Sequence, residues 1–346
     1  MARWIPLKMS AHVRTYDFGE RLIPDLLGKT DVPSVGRVAE TWEISDQGAT
    51  TAIIKGGEFD GQTLHEVTMA HPDEIVGPGF QGPHFPLLAK FLDASHMLPV
   101  HLHADDETAR RLYGAPNGKS EAWHILWAAP GATILAGIKP GTSHREMIAA
   151  FKAQDYDAVM PRHPIAAGDT VYVPGGILHS FGPDTLIFEI QQTSDLAQDV
   201  MPADNYNVRR TDHEWDSAIA ATMAELKTDV LPKPFAGLAI REGANERRIG
   251  CAGAHFTLER WTLREPLARA GLTGANTISN VGAPVTISFE GGSVELGRGE
   301  SCLLPAAIGA HSFVPGPDGA DLIVCFVPDL TDPIYAPFLA NQPVKH

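Results

Sequence analysis

Apolar runs of strand length, each closed by glycine, proline or aspartate, recur along the whole chain and constrain it to a β architecture. Residues 51–55, 125–127, 133–138, 170–173, 185–191, 285–289, 293–296 and 321–327 are such runs. The residues that end them stop ladder pairing or bend the backbone. Helical periodicity is confined to three places. Residues 106–112 allow one or two turns, opened by the acidic pair Asp105-Asp106, which suits a helix N-terminus. Residues 143–151 set Met147, Ile148 and Phe151 on one face behind a Ser143 cap, and residues 214–227 form the longest pattern. Many short strands with few helices predict a barrel or a sandwich.

A chain of 346 residues is too long for one small domain and suits two. The segment Leu231-Pro232-Lys233-Pro234-Phe235 follows the longest helical pattern and is the best linker in the chain. It divides the chain into 1–230 and 236–346. The order glycine, acid, strand, proline, then His-Ser-Phe occurs at 168–181 and again at 299–313, a weak internal repeat. The net charge of −15 repels phosphate backbones and anionic bilayers, and no basic patch offsets it. Nucleic-acid and membrane partners are therefore not expected. Cys251, Cys302 and Cys325 lack C-x-x-C spacing, which argues against a disulfide framework or a thiolate zinc site. The first residues hold no apolar run of signal-peptide length, so a cytoplasmic protein is expected.

The chemistry-bearing residues lie in the first part. His101-Leu102-His103 places two imidazoles two residues apart, on one face if extended, which is half of a divalent-metal site. Gly168–His179 then reads G-D-T-V-Y-V-P-G-G-I-L-H, which fits the second cupin motif, G-x5-P-x-G-x2-H, with the histidine opening a strand and facing inward. Together the segments predict a three-histidine metal site. Two glutamates compete to complete it. Glu107 fits the literal H-x-H-x3-E-x6-G spacing to Gly114, but stands among Asp105, Asp106, Arg110 and Arg111 in a helical segment. Glu121 immediately precedes a convincing strand and is preferred. The fold expected is mainly β: two cupin (jelly-roll β-barrel) domains with a few short helices. The first would bind metal and carry the helical insertions, and the second would be a degenerate barrel without a metal site.

Glu40-Thr41-Trp42-Glu43-Ile44-Ser45-Asp46, the FPLLAKFLDA stretch at 85–94, His101–Asp106, Gly118–Trp123, Gly168–His179 and the EIQQTSD stretch at 189–195 come in the order and approximate spacing of class I mannose-6-phosphate isomerases. The chain resembles that family of two-domain cupin metalloenzymes from about Glu40 to Asp195, and only faintly in its last third. The resemblance implies a metal-dependent aldose–ketose isomerase working through an enediolate. It supports Glu121 over Glu107 and matches His103, Glu121 and His179 to metal ligands, with His101 standing where the family usually has glutamine. Three histidines and a carboxylate suit zinc first, and manganese, iron, cobalt or nickel also accept such a set. Lys119 matches a lysine near the reaction centre, and Glu189 and Asp195 match acidic residues of the same pocket. There are two departures. An acidic residue, Asp199, lies near the place of the family's arginine, with Arg209 and Arg210 ten residues on, and Tyr16-Asp17-Phe18-Gly19-Glu20 replaces a W-G-G signature.

Lys119, Glu189 and Asp195 are thus the candidate proton carriers. The substrate expected is a sugar phosphate of the mannose 6-phosphate/fructose 6-phosphate type or a related free sugar. Two rival readings stand beside it: another metal-dependent cupin enzyme on a polyol or sugar acid, and a non-catalytic sugar-binding cupin. Trp42 and Trp123 read as core residues. His163, His213, His255 and His311 read as satisfied or exposed histidines. The second barrel would cover the open face of the first and extend its core, with a homodimer contact as a further use of that surface.

Overall fold

A run as apolar as Leu87–Ala94 (LLAKFLDA) must be covered on both faces, and in the computed structural model, which describes residues 3–340, every residue of it is buried. The same holds for Thr185–Gln192, its antiparallel neighbour. Both lie inside a six-stranded sheet ordered Thr170–Val173, Glu121–Ala128, Thr185–Gln192, Leu87–Ala94, Glu40–Ile44, His12–Arg14. Side chains alternate across it. Leu92, Trp123, Ile125 and Ile187 pack with Ile134, Ala136 and Phe181 of a five-stranded sheet. Leu87, Ala89, Phe91 and Phe188 face the other way, onto Leu258, Leu303, Ile323 and Cys325 of an eight-stranded sheet. The Phe91 and Phe188 rings meet edge to face at 5.6 Å. Burying such a ring stabilises the fold by roughly 2–3 kcal/mol.

The eight-stranded sheet in turn packs on a four-stranded one through Trp261, Ile278, Leu322 and Phe313. The stack therefore reads five, six, eight and four strands, antiparallel throughout, as the sequence predicts for a mainly β chain. The eight-stranded sheet draws two strands from the N-terminal part: Leu7–Met9 pairs with Ser301–Leu304, and Ile54–Lys55 adds to its edge. Of the expected run at 51–55 only this last pair is strand. The preceding Gly48–Thr50 is a single 3-10 turn.

The three helical segments form with shifted bounds. Residues 143–151 become His144–Ala153, with Ser143 and Glu146 capping each other's backbone N–H groups. Met147 and Phe151 are buried, but Ile148 is 43% exposed. One position in a helix is a 100° rotation, and that turns Ile148 off the face it was expected to share. The longest helix is Asp212–Glu225, behind a second capping box at Thr211. At 106–112 there is a short turn, Asp106–Thr108, that widens into a π-type turn at Ala109–Tyr113. Phe235 of the expected linker exchanges both backbone hydrogen bonds with Thr170, at 2.8 and 2.9 Å.

Candidate functional site

The five-stranded sheet brings His101 and His179 together as a directly paired residue couple on neighbouring strands. His103 lies just beyond the end of the His101–Leu102 strand, its ring centroid 4.8 Å from that of His101. Glu121 arrives from the facing six-stranded sheet, at the first residue of the Glu121–Ala128 strand. Two glycines make that approach possible. A Cβ at Gly118 would stand 2.3 Å from the Ala104 carbonyl, and one at Gly175 would stand 2.6 Å from Asp105 Cα. With no side chain there, Lys119 N–H donates to Ala104 O at 2.9 Å and Gly176 N–H to His103 O at 2.6 Å.

Each imidazole is oriented from behind. His101 Nδ1 donates to Pro99 O at 2.7 Å, His103 Nδ1 to Leu196 O at 2.8 Å, and His179 Nδ1 to Ile177 O at 2.8 Å. A proton committed to Nδ1 leaves a lone pair on each Nε2. Those three nitrogens turn toward one point and lie within 4.8 Å of one another. Glu121 closes the group: Oε1 is 3.0 Å from His179 Nε2, and Oε2 is 3.2 Å from His103 Nε2. Trp123 Nε1 donates to Glu121 Oε1 at 3.1 Å and holds the carboxylate in place.

Burial, then His179 and His103, keeps His101 well below the usual histidine range, and burial with Lys119 takes His103 down to about 4. Both are therefore neutral, which is the ligand form. Burial alone would raise Glu121. Lys119, His103 and His179 outweigh it and hold the carboxyl well below the usual carboxylate range.

This donor set fits a divalent cation. With Nδ1 donating, His101 and His179 present two lone pairs to each other across 3.1 Å, an unfavourable contact that a cation between them relieves. Glu121 Oε2 is buried with no aligned hydrogen-bond donor. Three imidazoles and one carboxylate are the nitrogen–oxygen set that zinc and its neighbours accept.

A cavity of about 100 Å³ opens beside the cluster, lined among others by His101, His103, Lys119, Glu121, Glu189 and Asp195. Lys119 Nζ stands 3.1 Å from Glu121 Oε2, 2.9 Å from His103 Nε2 and 3.8 Å from Glu189 Oε1. Burial, reinforced by Glu121 and opposed by Lys90 and Lys119, pushes Glu189 up to about 7. Asp195 is exposed and sits at the neck between this cavity and a larger one of about 770 Å³. Glu107 is exposed, away from the imidazoles, as its charged surroundings predict. Asp199 also lines the cavity and is forked by Arg210, whose Nη2 donates to Oδ2 at 2.8 Å, while Arg209 is exposed. The pocket thus holds two groups absent from the sequence-based set. Lys90 Nζ lies 3.1 Å from Glu189 Oε1 and 3.5 Å from Glu40 Oε2, and Trp42 Nε1 donates to Glu40 Oε2 at 2.7 Å. Trp42 and Trp123 are core residues, as expected, and each also fixes a pocket carboxylate two residues before it.

The arrangement recurs in the C-terminal sheets with a different filling. Glu259 and Trp261 repeat the Glu121–Trp123 contact, with Nε1 donating to Oε2 at 2.6 Å. His311 repeats His179, its Nδ1 donating to Gly309 O at 2.9 Å. Arg269 is paired opposite His311, as His101 is opposite His179. Arg247 forks the glutamate, its Nη2 and Nε 2.8 and 2.9 Å from the Glu259 oxygens. The sequence reading of His311 as satisfied or exposed holds for Nδ1 alone: the ring is 5% exposed and its Nε2 has no hydrogen-bond partner. An arginine here neutralises the buried carboxylate. Arg247→Met should leave Glu259 buried and unpaired, costing about 3–5 kcal/mol. A thermal melt should show a midpoint roughly 10 °C lower with bound metal unchanged. An unshifted midpoint would refute this role.

A mainly antiparallel β protein whose barrel gathers three Nε2 atoms and one carboxylate at one point belongs to the cupin class. Among known proteins, a mannose-6-phosphate isomerase of Streptococcus mutans is 36% identical over 176 residues, 50% of this chain and 54% of the relative. A Bacillus subtilis relative, provisionally named for the same enzyme, is 27% identical over 272 residues, 77% of this chain and 83% of its own. The solved mannose 6-phosphate isomerase of Bacillus subtilis superposes with a TM-score of 0.81 over 93% of this chain and 99% of that one, at 23% identity, which speaks for the fold. No family model matches. The chain is thus similar in sequence to mannose-6-phosphate isomerases and shares the fold of the solved one. The alignments above 30% identity span about half the length of the curated relatives they match. No helix among the described residues is long and apolar enough to cross a membrane.

Proposed function

We propose that this chain is a metal-dependent aldose–ketose isomerase acting on a sugar phosphate of the mannose 6-phosphate/fructose 6-phosphate type. His101, His103, Glu121 and His179 hold one divalent ion, zinc in the first instance. The observation that carries the reading is the convergence of three backbone-oriented Nε2 atoms on the Glu121 carboxylate beside a cavity lined by Lys119 and Glu189. When bound, the ion polarises the substrate carbonyl and its neighbouring hydroxyl. The remaining work falls to the chain. Glu189, buried and balanced near neutrality, takes the carbon-bound proton and returns it one carbon away. Lys119 holds its charge against the oxygen on which negative charge develops. Asp195, at the neck, accepts hydrogen bonds from substrate hydroxyls. The same reading takes residues 1–230 and 236–346 as two domains, with Leu7–Met9 and Ile54–Lys55 lent to the second one's sheet.

The test is solvent exchange. Metal-loaded protein and mannose 6-phosphate in deuterated water should yield fructose 6-phosphate with deuterium at the carbon next to the carbonyl, and chelator should abolish both. Isomerisation without any solvent deuterium over a pH series, or full activity in the metal-free protein, would refute the enediolate mechanism or the metal requirement respectively.

A further inference from the structure

The cations around the small cavity are already engaged, with one exception. Lys119 lies against Glu121 and His103, Lys90 against Glu189 and Glu40, and Arg210 against Asp199. Arg14 differs. Among the described residues no carboxylate stands within 4.0 Å of its guanidinium nitrogens, and its Nε is buried without a hydrogen-bond partner. Its position is set by the sheet. On the His12–Arg14 strand, Arg14 is paired directly opposite Glu40 and His12 opposite Trp42, and opposed residues of an antiparallel pair share a face. Glu40 lines the cavity, and so does Tyr16, two residues after Arg14. The guanidinium carbon lies 4.8 Å over the Trp42 ring, which Lys90 Nζ also approaches at 5.6 Å and the His12 ring meets edge to face at 6.4 Å. Arg14 is thus held flat against an aromatic face, on the cavity side of the sheet, with its hydrogen-bonding fork unspent.

A half-buried guanidinium with no anion loses hydration and recovers little of it from the ring. Its planar fork matches a phosphate in bidentate fashion, which a compact ammonium does not. We propose that Arg14 takes the anionic end of the substrate and makes the site selective for phosphorylated over free sugar. The proposal rests on the isomerase reading for the identity of the sugar, but its test is binding. Fructose 6-phosphate and fructose are titrated calorimetrically into metal-loaded wild-type protein, Arg14→Met and Arg14→Lys, with metal content and melting midpoint recorded for each. Wild type should prefer the phosphorylated sugar, and Arg14→Met should weaken it by about 10–100-fold while leaving fructose unchanged. Arg14→Lys, which keeps the charge and the contact with Trp42 but not the fork, should fall between. In turnover the loss should appear in KM, with kcat within a few-fold of wild type. Retention of the phosphate preference in Arg14→Met, or no such preference in wild type, would overturn the assignment. Failure of the isomerase reading would show separately, as phosphate-selective binding without exchange. Should the methionine variant not fold, an Arg14→Lys protein with undiminished phosphate preference would equally overturn it.

Discussion

Glu121→Gln should strip the bound metal and lower turnover by on the order of 10³-fold or more. The amide keeps the shape of the carboxylate, and its oxygen can still accept the Trp123 Nε1 hydrogen, at 3.1 Å in the parent. What disappears is the one negative charge among the three imidazoles. Substituting residues that merely orient ligands already costs 10–100-fold in metal affinity. Removing the charged ligand itself should exceed that. Lys119 sharpens the effect, because its ammonium, 3.1 Å from Glu121 Oε2, would face the incoming cation unbalanced. Glu107→Gln, altering an exposed glutamate that sequence spacing alone also nominates, should leave metal content and activity as in the parent. Metal per chain by mass spectrometry decides the matter. Full occupancy in Glu121→Gln, or a loss in Glu107→Gln, would reverse the ligand assignment.

The choice between those two glutamates shows how the site was legible in the sequence. Local chemistry favours Glu121: Glu107 sits among charges in a helical turn, whereas Glu121 opens a strand. The histidines were legible for the same reason, since H-x-H and G-x5-P-x-G-x2-H encode same-face placement and a turn within a few residues. The helix cap at Ser143 likewise depends on residues three apart, whereas the equivalent cap at Thr211 lies three residues before the start expected for its helix. Lys90, Glu40 and Arg14 were not legible as pocket groups, because a charge inside an apolar run gives no sign of which face it takes or what lies across the sheet. Register decides that, and register is set by pairing between segments as far apart as Glu189 and Lys90. One further signal is present in the sequence. Glu-x-Trp occurs at 40–42, 121–123 and 259–261, and in each case the indole donates to the glutamate two residues before it. Together with the repeated His-Ser-Phe, it matches the C-terminal sheets to the N-terminal ones and sets Glu259, which Arg247 forks, against Glu121.

Glu189→Gln should lower kcat by about 10²–10⁴-fold, the usual contribution of a positioned acid–base group, while leaving the metal bound. Glu189 lies in a chain of alternating charges: Lys90 Nζ at 3.1 Å on one side and Lys119 Nζ at 3.8 Å on the other, with Glu121 beyond. Burial and the Glu121 charge raise its pKa, and the two lysines hold the rise to about 7. The sign of the pH effect follows. A carboxyl with a raised pKa is protonated below that pH and cannot accept the carbon-bound proton, so the rate should fall as pH drops through this value, approaching tenfold per unit. A divalent cation in the imidazole cluster favours the ionised form, so the metal-loaded limb should lie at or below pH 7 rather than above it. In Glu189→Gln the limb should vanish along with most of the rate. A variant that keeps the limb would transfer the proton-carrying role to another group, and Lys119→Met would then be the protein to titrate. The amide can still face Lys90 and Lys119 but no longer neutralises them, so Glu189→Gln also introduces an unbalanced positive charge. A kcat loss with unaltered metal content and a missing acid limb separates the chemical role from that structural one, because a merely destabilised pocket would lose rate at every pH alike.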